Sequence, residues 1–233
     1  MNGRSGGRSR ALQSVIWWRY PSKLQPNRMP DLPLRKPTEP LPSATDIAAA
    51  LGTRSIVLIG MMGAGKSSIG RRLAKKLDLP FVDADAEIEL AAGMPITDIF
   101  DHHGEDYFRS GEARVIARLL DQGRQVLATG GGAFMNPGTR SLIAAKGISV
   151  WLKAEPDILL RRIKRRSDRP LLRTADPEAT LNKLIEQRYP VYAEADLIVH
   201  SRDVPHEVIV DEIIAAATAR LGLGAAVAQS SAP

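Results

Sequence analysis

The sequence predicts an α/β fold in which one parallel sheet is covered by helices on both faces. Three observations support this prediction. Short apolar runs typical of buried strands alternate along the chain with longer amphipathic segments. A glycine-rich loop lies directly between the first apolar run and the first amphipathic segment. The 233 residues, 44% of them hydrophobic, suffice for a single domain with tails.

The candidate strands are five short, mostly apolar runs, each followed by a turn-forming or charged segment. They are Ser55–Ile59, Pro80–Asp83, Gln125–Thr129, Ile148–Leu152 and Leu197–His200. Five strands fit an open, doubly wound sheet, which binds its ligands beyond the carboxyl ends of the strands. We therefore expect the functional residues to lie directly after these runs.

The predicted helices lie between and after these strands. Ile69, Leu73 and Leu77 follow one another at helical spacing and predict a helix from Lys66 to Leu77. Three more helices carry proline in the first turn, where its missing N–H costs little. They begin at Pro137, Pro156 and Pro177. The remaining helices are predicted over Asp85–Ala92, with Gly93 as a left-handed cap, over Glu105–Leu120 and over Pro205–Leu221.

The two ends of the chain differ in composition from its middle. The first 50 residues carry eight Lys or Arg against three Asp or Glu, and prolines recur from Pro21 onward. We therefore expect residues 1–45 to form a disordered, basic, proline-rich extension. Its acid-free start is also typical of organelle transit peptides, and Val15–Trp18 could be a local docking patch. Residues 46–221 are then one domain, and residues 222–233 form a flexible tail.

Charge and composition disfavour several classes of protein. The formal net charge of +6 comes almost entirely from the first 50 residues, so the predicted domain is nearly neutral and we expect no nucleic-acid partner. The chain has no cysteine, which excludes a disulfide framework and a thiolate metal site. No apolar run approaches the roughly 20 residues of a membrane span. We expect a soluble, cytoplasmic and monomeric protein without a membrane partner.

The loop after the first strand has the complete pattern of a phosphate-binding loop. Residues 60–67 read Gly-Met-Met-Gly-Ala-Gly-Lys-Ser. Glycines let backbone N–H groups converge on phosphate oxygens, and the helix that follows adds the positive end of its dipole. Lys66 is expected to reach the β- and γ-phosphates, and the Ser67 hydroxyl to ligate Mg²⁺. The residues expected to bind nucleotide here are Gly63, Ala64, Gly65, Lys66, Ser67 and Ser68. A glycine turn that only joins a strand to a helix is the alternative.

Two carboxylates, Asp83 and Asp85, follow the second strand. At positions i and i+2 of an extended segment their side chains point the same way, toward the predicted phosphate loop. Asp83 is a candidate ligand of Mg²⁺, directly or through water, and Asp85 is a candidate to receive or orient the proton of an attacking hydroxyl. An equally weighted alternative is that Asp85 caps the next helix.

Three consecutive glycines, Gly130, Gly131 and Gly132, follow the third strand. Such a run destabilises any regular element, so it indicates a close backbone approach or unusual dihedral angles. A flexible loop is the alternative. The position at the carboxyl end of a strand favours a ligand-binding loop.

Several basic residues have both a functional and an ordinary interpretation. Arg109 and Glu112 form an i, i+3 pair, which by itself is usually a solvated surface contact. The segment Arg161–Arg173 holds seven bases among thirteen residues. It is either a solvated charge run or a mobile lid that brings arginine to a γ-phosphate. Arg188 lies late in a helix that Pro190 is expected to kink or end.

Taken together, these motifs resemble the shikimate kinase family. The matching segments occur in the family's order and cover about residues 53–200. They are Gly60–Ser67, Asp83–Asp85, Phe108-Arg109 with Glu112, Gly130–Gly132, Arg169-Pro170-Leu171-Leu172, and Arg188-Tyr189-Pro190 with Tyr192. Apart from the phosphate loop, each segment alone is weak evidence for the family, but the whole set in this order is very specific to it. The chain departs from the family in its long N-terminal extension and at Ser110-Gly111, where the family is often more charged.

The resemblance implies a P-loop NTPase fold of the nucleoside-monophosphate-kinase type, with a five-stranded parallel sheet in the order 2-3-1-4-5. It implies ATP and Mg²⁺, with transfer of the γ-phosphoryl group to the 3-hydroxyl of shikimate. The residues that would bind shikimate are Asp85, Arg109, Gly130, Gly131, Gly132 and Arg188, with both arginines on its carboxylate. Arg169 would be the arginine of a mobile lid around residues 162–175, and Arg162 would lie near the adenine.

The implied roles agree with the chemistry of the residues. Arginine offers planar, bidentate donors to a carboxylate, which lysine does not. A loose phosphoryl-transfer transition state needs alignment and charge neutralisation, so the catalytic residues would be Asp85, Lys66 and Arg169. The Ser67 hydroxyl and the Asp83 carboxylate would hold the metal.

Three alternatives compete with this interpretation. A related sugar-acid kinase, such as a gluconate kinase, would share the phosphate loop but would not need Arg109, the three glycines and Arg188 together. A non-catalytic module would bind nucleotide without turnover, although the proposed catalytic residues are all present in the sequence. A nucleic-acid-binding ATPase is disfavoured by the nearly neutral domain.

Overall fold

A central parallel sheet forms the core of the protein. The computed structural model describes residues 43–164 and 176–223. Its strands are β1 (Ser55–Ile59), β2 (Phe81–Asp83), β3 (Val126–Ala128), β4 (Gly147–Ala154) and β5 (Leu197–Ser201). They run parallel in the order β2-β3-β1-β4-β5. This confirms the sheet order that the family resemblance implies.

Helices cover both faces of this sheet. They are α1 (Ala44–Leu51), α2 (Lys66–Leu77), α3 (Ala84–Ala92), α4 (Ile96–Asp121), α5 (Pro137–Lys146), α6 (Pro156–Ile163), α7 (Pro177–Tyr192) and α8 (His206–Arg220). A short 3-10 helix, Ala133–Met135, follows β3. Helix α2 packs against α1 and α8, α4 packs against α3 and α5, and α6 packs against α7.

The middle of the sheet is the most deeply buried part of the described chain. All five residues of β1 are buried, because β3 and β4 pair with its two edges and helices cover its faces. This burial explains why the strand reads as a continuous apolar run rather than an alternating one. The rigid strand in turn fixes the position of the loop that follows it.

All five strand predictions and most helix predictions are confirmed, with boundaries shifted by a few residues at most. Proline occupies the first turn of α5, α6 and α7 as expected. Gly93 ends α3 with a φ of 67°, the left-handed conformation that favours glycine. Helix α7 extends past Pro190 to Tyr192, so the proline lies near the end of the helix without ending it.

Two helical segments are not among the predicted elements. Helix α1 begins at Ala44, within the last two residues of the segment 1–45 that was expected to be disordered. A capping box between Ser43 and Asp46 starts it. Helix α4 begins at Ile96 rather than near Glu105. It consists of two helical parts joined at Gly104, whose φ of 81° is not helical. The predicted helix corresponds to the second half only.

Some predictions concern residues outside the described ranges. These are the extension up to residue 42, most of the predicted lid (165–175, including Arg169) and the tail from residue 224. Across the described part of the chain, none of the helices combines the length and the apolar character that a bilayer crossing needs.

Candidate active site

A cavity of about 360 Å³ lies beyond the carboxyl ends of β1, β2 and β3. The loops after β1 and β3 and the start of α3, which follows β2 directly, contribute to its wall, and α4 and α7 close the sides. Its polar lining includes Asp85, Arg109, Glu112 and Arg188, together with the glycine turn Gly130–Gly132. Met62 of the phosphate loop also lines it. The cavity and the phosphate loop are therefore direct neighbours.

The phosphate loop has the backbone geometry that its sequence predicts. Gly63 and Gly65 have φ values of 82° and 95°, which residues with a side chain rarely adopt. The ammonium group of Lys66 donates to the carbonyls of Gly60 (2.8 Å) and Met61 (3.0 Å). Helix α2 begins at Lys66, so its first N–H groups and the lysine lie at one end of the loop. This arrangement suits a polyphosphate anion.

Asp83 joins the phosphate loop to the second strand. Its Oδ2 accepts a hydrogen bond of 2.6 Å from the Ser67 hydroxyl, and its Oδ1 accepts one of 3.2 Å from the backbone N–H of Asp85. Asp83 is thus the residue that caps α3. The alternative that Asp85 caps this helix is wrong, because Asp85 already lies in the first turn.

The pair Ser67–Asp83 fits a magnesium ion that arrives with a nucleotide. A hydroxyl and a carboxylate are hard oxygen donors, and Mg²⁺ usually takes one or two protein ligands and fills its shell with phosphate oxygens and water. Within residues 43–164 and 176–223, no group of three or more His, Cys, Asp and Glu could hold a metal ion by itself. Ser67 and Asp83 therefore match a site in which two protein ligands are completed by phosphate and water, not a cage made only of protein groups.

The glycine turn is packed against the charged groups of the cavity. A Cβ atom placed on Gly130 would lie 2.5 Å from Glu112 Oε1 and 2.9 Å from Asp85 Oδ1. A Cβ atom on Gly132 would lie 2.6 Å from Nη2 of Arg109. Side chains on the turn would displace these groups, so close approach explains the glycines at both positions. The flexible-loop alternative does not account for these contacts.

Arg109 and Glu112 form a pair that is buried on one side. Arg109 Nη1 lies 2.7 Å from Glu112 Oε2, and the Glu112 side chain is only 2% exposed. Arg109 also contacts Glu105, through Nε at 3.1 Å and Nη2 at 3.0 Å. The interpretation of this pair as a solvated surface contact is therefore wrong. Helix α4 presents the guanidinium to the cavity with its orientation fixed by two carboxylates.

The electrostatic environment of Glu112 is unusual for a carboxylate. Burial raises the pKa of Glu112 above its ordinary value, and the negative charge of Asp85 adds to this, while Arg109 and Arg188 lower it. Its Oε1 atom is buried and has no hydrogen-bond partner among the described residues. For Arg109, burial lowers the pKa, but Glu112 and Glu105 more than offset this and keep the guanidinium charged.

Arg188 approaches the glycine turn from the opposite side. It is 6% exposed, and its Nη1 donates to the Gly131 carbonyl at 3.0 Å. The hydroxyl of Tyr192, one turn further along α7, donates to the same carbonyl. The two arginines predicted to face one ligand therefore line the same cavity, one from α4 and one from α7.

Arg162 lies on the far side of the phosphate loop and does not line the cavity. Its Nη1 donates to the Ser201 hydroxyl at 2.9 Å and lies 3.4 Å from the Gly63 carbonyl. The Ser201 hydroxyl donates to the Ala64 carbonyl at 2.8 Å, so β5 is tied to the loop. Asp203 pairs with Arg162 at 3.3 Å. This position is beside the loop, where the resemblance expects a contact with nucleotide.

Two residues that contact the site were not predicted from the sequence. Ser201 ties the last strand to the phosphate loop, and nothing in its local sequence indicates this. Tyr192 belongs to the matching motif around Arg188, but only the structure shows that its hydroxyl bonds to the glycine turn. Both contacts join residues far apart in the chain, which periodicity and spacing do not reveal.

Comparisons with known proteins agree with this geometry. A family model described as shikimate kinase matches residues 62–218. A curated shikimate kinase of Bradyrhizobium diazoefficiens is 63% identical over 79% of this chain and 89% of its own length. One of Rhodopseudomonas palustris is 65% identical over 75% of this chain and 86% of its own.

A solved structure of a shikimate kinase from Acinetobacter baumannii in complex with shikimate is also similar. It is 36% identical, has a TM-score of 0.69, and the match covers 72% of this chain and 94% of that one. The phosphate loop, the adjoining cavity with two arginines, the family model and these relatives lead to one conclusion. The chain belongs to the shikimate kinase family.

Proposed function

We propose that this chain transfers the γ-phosphoryl group of ATP to the 3-hydroxyl of shikimate, giving shikimate 3-phosphate and ADP. The observation that carries the proposal is the cavity in which Arg109 and Arg188 lie beside the phosphate loop. Shikimate has one carboxylate and three hydroxyls, so its site needs planar donors for the acid and further polar groups for the alcohols. The cavity contains both.

On the acceptor side, Arg109 and Arg188 hold the carboxylate of shikimate. Three of the five N–H groups of Arg109 already point to Glu105 and Glu112, and these contacts orient the remaining edge of its guanidinium. The glycine turn supplies backbone groups to the ring hydroxyls. Asp85 takes the 3-hydroxyl, because its carboxylate lies against Gly130 and lines the cavity that adjoins the phosphate loop.

On the nucleotide side, the loop from Gly63 to Ser68 binds the phosphates, with Lys66 on the β- and γ-phosphates. Arg162 contacts the nucleotide from the β5 side of the loop. Ser67 and Asp83 hold Mg²⁺, which, when bound, neutralises charge on the transferring phosphoryl group. Lys66 adds positive charge at the same point. Arg169 lies in the predicted lid, outside the described residues, and is proposed to add a further positive charge.

The chemical step needs little covalent help from the protein. The bond between the γ-phosphorus and its bridging oxygen breaks, a bond to the 3-oxygen of shikimate forms, and the hydroxyl loses its proton. Asp85 orients this hydroxyl and accepts the proton as the new bond forms. Its main contribution is alignment, because the transition state is loose and the attacking oxygen needs little activation.

A gluconate kinase is the second candidate to be tested. Gluconate also has a carboxylate and hydroxyls, but it is an extended, flexible chain, whereas the two arginines and the glycine turn form the sides of one compact cavity. A ring-shaped acid fits this arrangement better. A non-catalytic role is disfavoured because Asp85, Lys66, Arg109 and Arg188 are all present and positioned.

A coupled ADP-release assay with shikimate, quinate and gluconate tests the proposal. We expect turnover with shikimate, with kcat/KM at least roughly a hundredfold above that for gluconate, because ordering the flexible open-chain acid against both arginines and Asp85 costs conformational entropy. Detection of the product by ³¹P NMR would identify the phosphorylated hydroxyl. Preference for gluconate, or ADP release independent of any acceptor, would contradict the proposal.

We further propose that the enzyme works as a monomer in the cytoplasm, where ATP is supplied. No role assigned above requires a residue from a second copy of the chain. Sedimentation velocity at assay concentrations would test the monomeric state, and a specific activity that changes with enzyme concentration would contradict it.

A further inference from the structure

The hydroxyl of Tyr192 has no part in the mechanism above, yet it is bonded to the centre of the glycine turn. The side chain is 0% exposed and lies at the end of α7. Its hydroxyl donates to the Gly131 carbonyl, which also accepts from Arg188 Nη1 at 3.0 Å. A carbonyl oxygen has two lone pairs, so these two donors satisfy it completely.

Tyr192 keeps its proton throughout the working pH range. Burial raises the pKa of Tyr192 to about 12, and the positive charge of Arg188 opposes this only in part. At neutral pH the phenol is therefore protonated and can donate. The Gly131 carbonyl consequently has a permanent neutral donor on one lone pair and a charged donor on the other.

Fixing this carbonyl also fixes a donor that faces away from the tyrosine. The peptide between Gly131 and Gly132 is planar and trans, so the N–H of Gly132 points opposite to the Gly131 carbonyl. Both glycines line the acceptor cavity. Gly132 in addition packs against the guanidinium of Arg109. The orientation of a single peptide therefore affects an amide donor and both arginines.

The same hydroxyl lies against the phosphate loop. It is 3.8 Å from Sδ of Met61. The turn itself backs onto this loop, since a Cβ atom on Gly131 would lie 3.5 Å from the N atom of Met62 and 3.6 Å from the Gly60 carbonyl. Tyr192 is thus in contact with the two loops that must be aligned for in-line transfer.

We propose that Tyr192 is a positioning residue for the acceptor. Its hydroxyl sets the orientation of the Gly131–Gly132 peptide, and through it holds Arg188 and the N–H of Gly132 in register with the phosphate loop. This role presupposes the proposed function, because it acts on the binding of shikimate.

Tyr189 provides a matched control on the same helix. Its hydroxyl also donates to a backbone carbonyl, that of Ala154 at the end of β4, and burial raises its pKa to about 12 as well. Both rings pack edge-on against Trp151, with centroids 4.9 Å away for Tyr189 and 5.8 Å for Tyr192. Tyr189 does not line the cavity. Removing either hydroxyl deletes the same kind of bond beside the same tryptophan, although Tyr189 is half-buried and Tyr192 is fully buried.

The test compares Tyr192→Phe with Tyr189→Phe in steady-state kinetics and thermal melting. We expect Tyr192→Phe to raise the KM for shikimate about tenfold and to change the KM for ATP less than about twofold, because an acceptor-side peptide loses its anchor. Tyr189→Phe should leave the KM for shikimate within about twofold of wild type. Both variants should melt a few degrees below wild type, Tyr192→Phe by somewhat more because its hydroxyl is fully buried.

A merely structural role predicts a different result. Equal effects of the two substitutions on the KM for shikimate would overturn the inference. So would a Tyr192→Phe variant in which the KM for shikimate and the KM for ATP rise equally. Calorimetric titration of shikimate into both variants gives the binding constant independently of turnover. Wild-type enzyme in the same assay separates the two proposals: no turnover of shikimate contradicts the proposed function, whereas normal turnover with equal variants contradicts only the role of Tyr192.

Discussion

At the scale of single residues, burial gives common side chains a specific function. Arg109 and Glu112 are an unremarkable i, i+3 pair in the sequence, but Glu112 is 2% exposed and its carboxylate holds the guanidinium at the cavity. Asp83 and Asp85 are separated by one residue and do different work. Asp83 bonds to Ser67 and caps α3, while Asp85 faces the glycine turn.

Asp85→Asn should separate chemistry from nucleotide binding. The amide has the size of the carboxylate, but it replaces one acceptor oxygen by an NH2 donor and carries no charge. The 3-hydroxyl then loses both its alignment and its proton acceptor, so kcat should fall at least about a hundredfold. The dissociation constant for ATP should change less than about twofold, because the change is confined to the acceptor side. The ADP-release assay and nucleotide titration measure these quantities.

Glu87→Gln is the matched control for this substitution. Glu87 is on the same helix, but it pairs with Arg118 at 2.9 Å and does not line the cavity. It should leave kcat within about twofold of wild type. Wild-type turnover in Asp85→Asn would rule out the role proposed for Asp85.

Arg188→Lys should weaken the binding of shikimate far more than the binding of ATP. Arginine can donate to the Gly131 carbonyl and still present other N–H groups to a carboxylate, whereas a lysine ammonium is a point charge without this planar fork. The KM for shikimate should rise between about tenfold and a hundredfold, and the KM for ATP by less than about threefold. Arg72→Lys, at an exposed contact with Glu207, should change neither. A uniform rise in both KM values would count against carboxylate recognition by Arg188.

At the scale of elements, the glycine turn after β3 connects the parts of the site. It touches Asp85 and Glu112 at Gly130, Arg188 and Tyr192 at Gly131, and Arg109 at Gly132. Because β3 pairs with both β1 and β2, the turn is held next to the phosphate loop and to the segment carrying the two aspartates.

Gly132→Ala tests this close approach. The backbone of Gly132 has a φ of −100°, which alanine adopts without strain, so the main effect should come from the contact between its Cβ and Arg109. Glu105 and Glu112 hold this guanidinium, and displacing it should raise the KM for shikimate roughly tenfold with only a small loss of stability. Kinetics and thermal melting measure both effects.

Gly111→Ala serves as its control. Gly111 is in the helical part of α4 and a Cβ there would have 4.0 Å to its nearest neighbour, an atom of Arg114. This substitution should leave the KM unchanged and stabilise the protein by roughly 0.5–1 kcal/mol. If both alanine variants bind shikimate equally well, the contact between Gly132 and Arg109 does not position the arginine.

The elements could be predicted from sequence wherever a local signal marks them. Strand β1 is a continuous apolar run, helix α2 has apolar residues at helical spacing, and three helices begin with proline, and these predictions are confirmed. Helix α1 is not evident from sequence although Ser43 and Asp46 form a capping box, because it adjoins a proline-rich segment whose composition favours irregular structure. The first half of α4 was missed because Gly104 breaks the helical pattern in its interior.

The residue types of the site were also predictable, but their partners were not. The phosphate loop, the glycine turn and the arginines follow from motifs. That Asp83 rather than Asp85 caps α3 depends on the exact start of that helix, and the bond from Tyr192 to Gly131 joins positions 61 residues apart. Such contacts are set by packing and not by local spacing.

At the scale of the whole molecule, α1 marks where the described domain begins. Ile47 and Leu51 are each 1% exposed, and Arg124 donates to the Ala48 carbonyl at 2.6 Å. The helix therefore contributes to the core and is not part of the predicted extension.

Two truncations should separate the extension from the domain. Deleting residues 1–42 should leave kcat and both KM values within about twofold of wild type, because no residue of the proposed site lies in this segment. Deleting residues 1–53 removes Ile47 and Leu51 as well, and each buried side chain contributes about 1.5–3 kcal/mol, so the melting temperature should drop by roughly 10 °C. Loss of activity in a folded 1–42 deletion would show that the extension takes part in function. An unchanged melting temperature after the longer deletion would contradict the role of α1.

The proposed function depends on two arginines, the half-buried Arg109 and the buried Arg188, that hold the carboxylate of the acceptor beside the phosphate loop. Calorimetric titration of the wild-type enzyme with shikimate and with its methyl ester tests this most directly, because the ester keeps the ring and hydroxyls and removes only the charge. The ester should bind about a hundredfold more weakly than shikimate, because two charge-assisted contacts are lost. Equal affinity for the acid and the ester would contradict it.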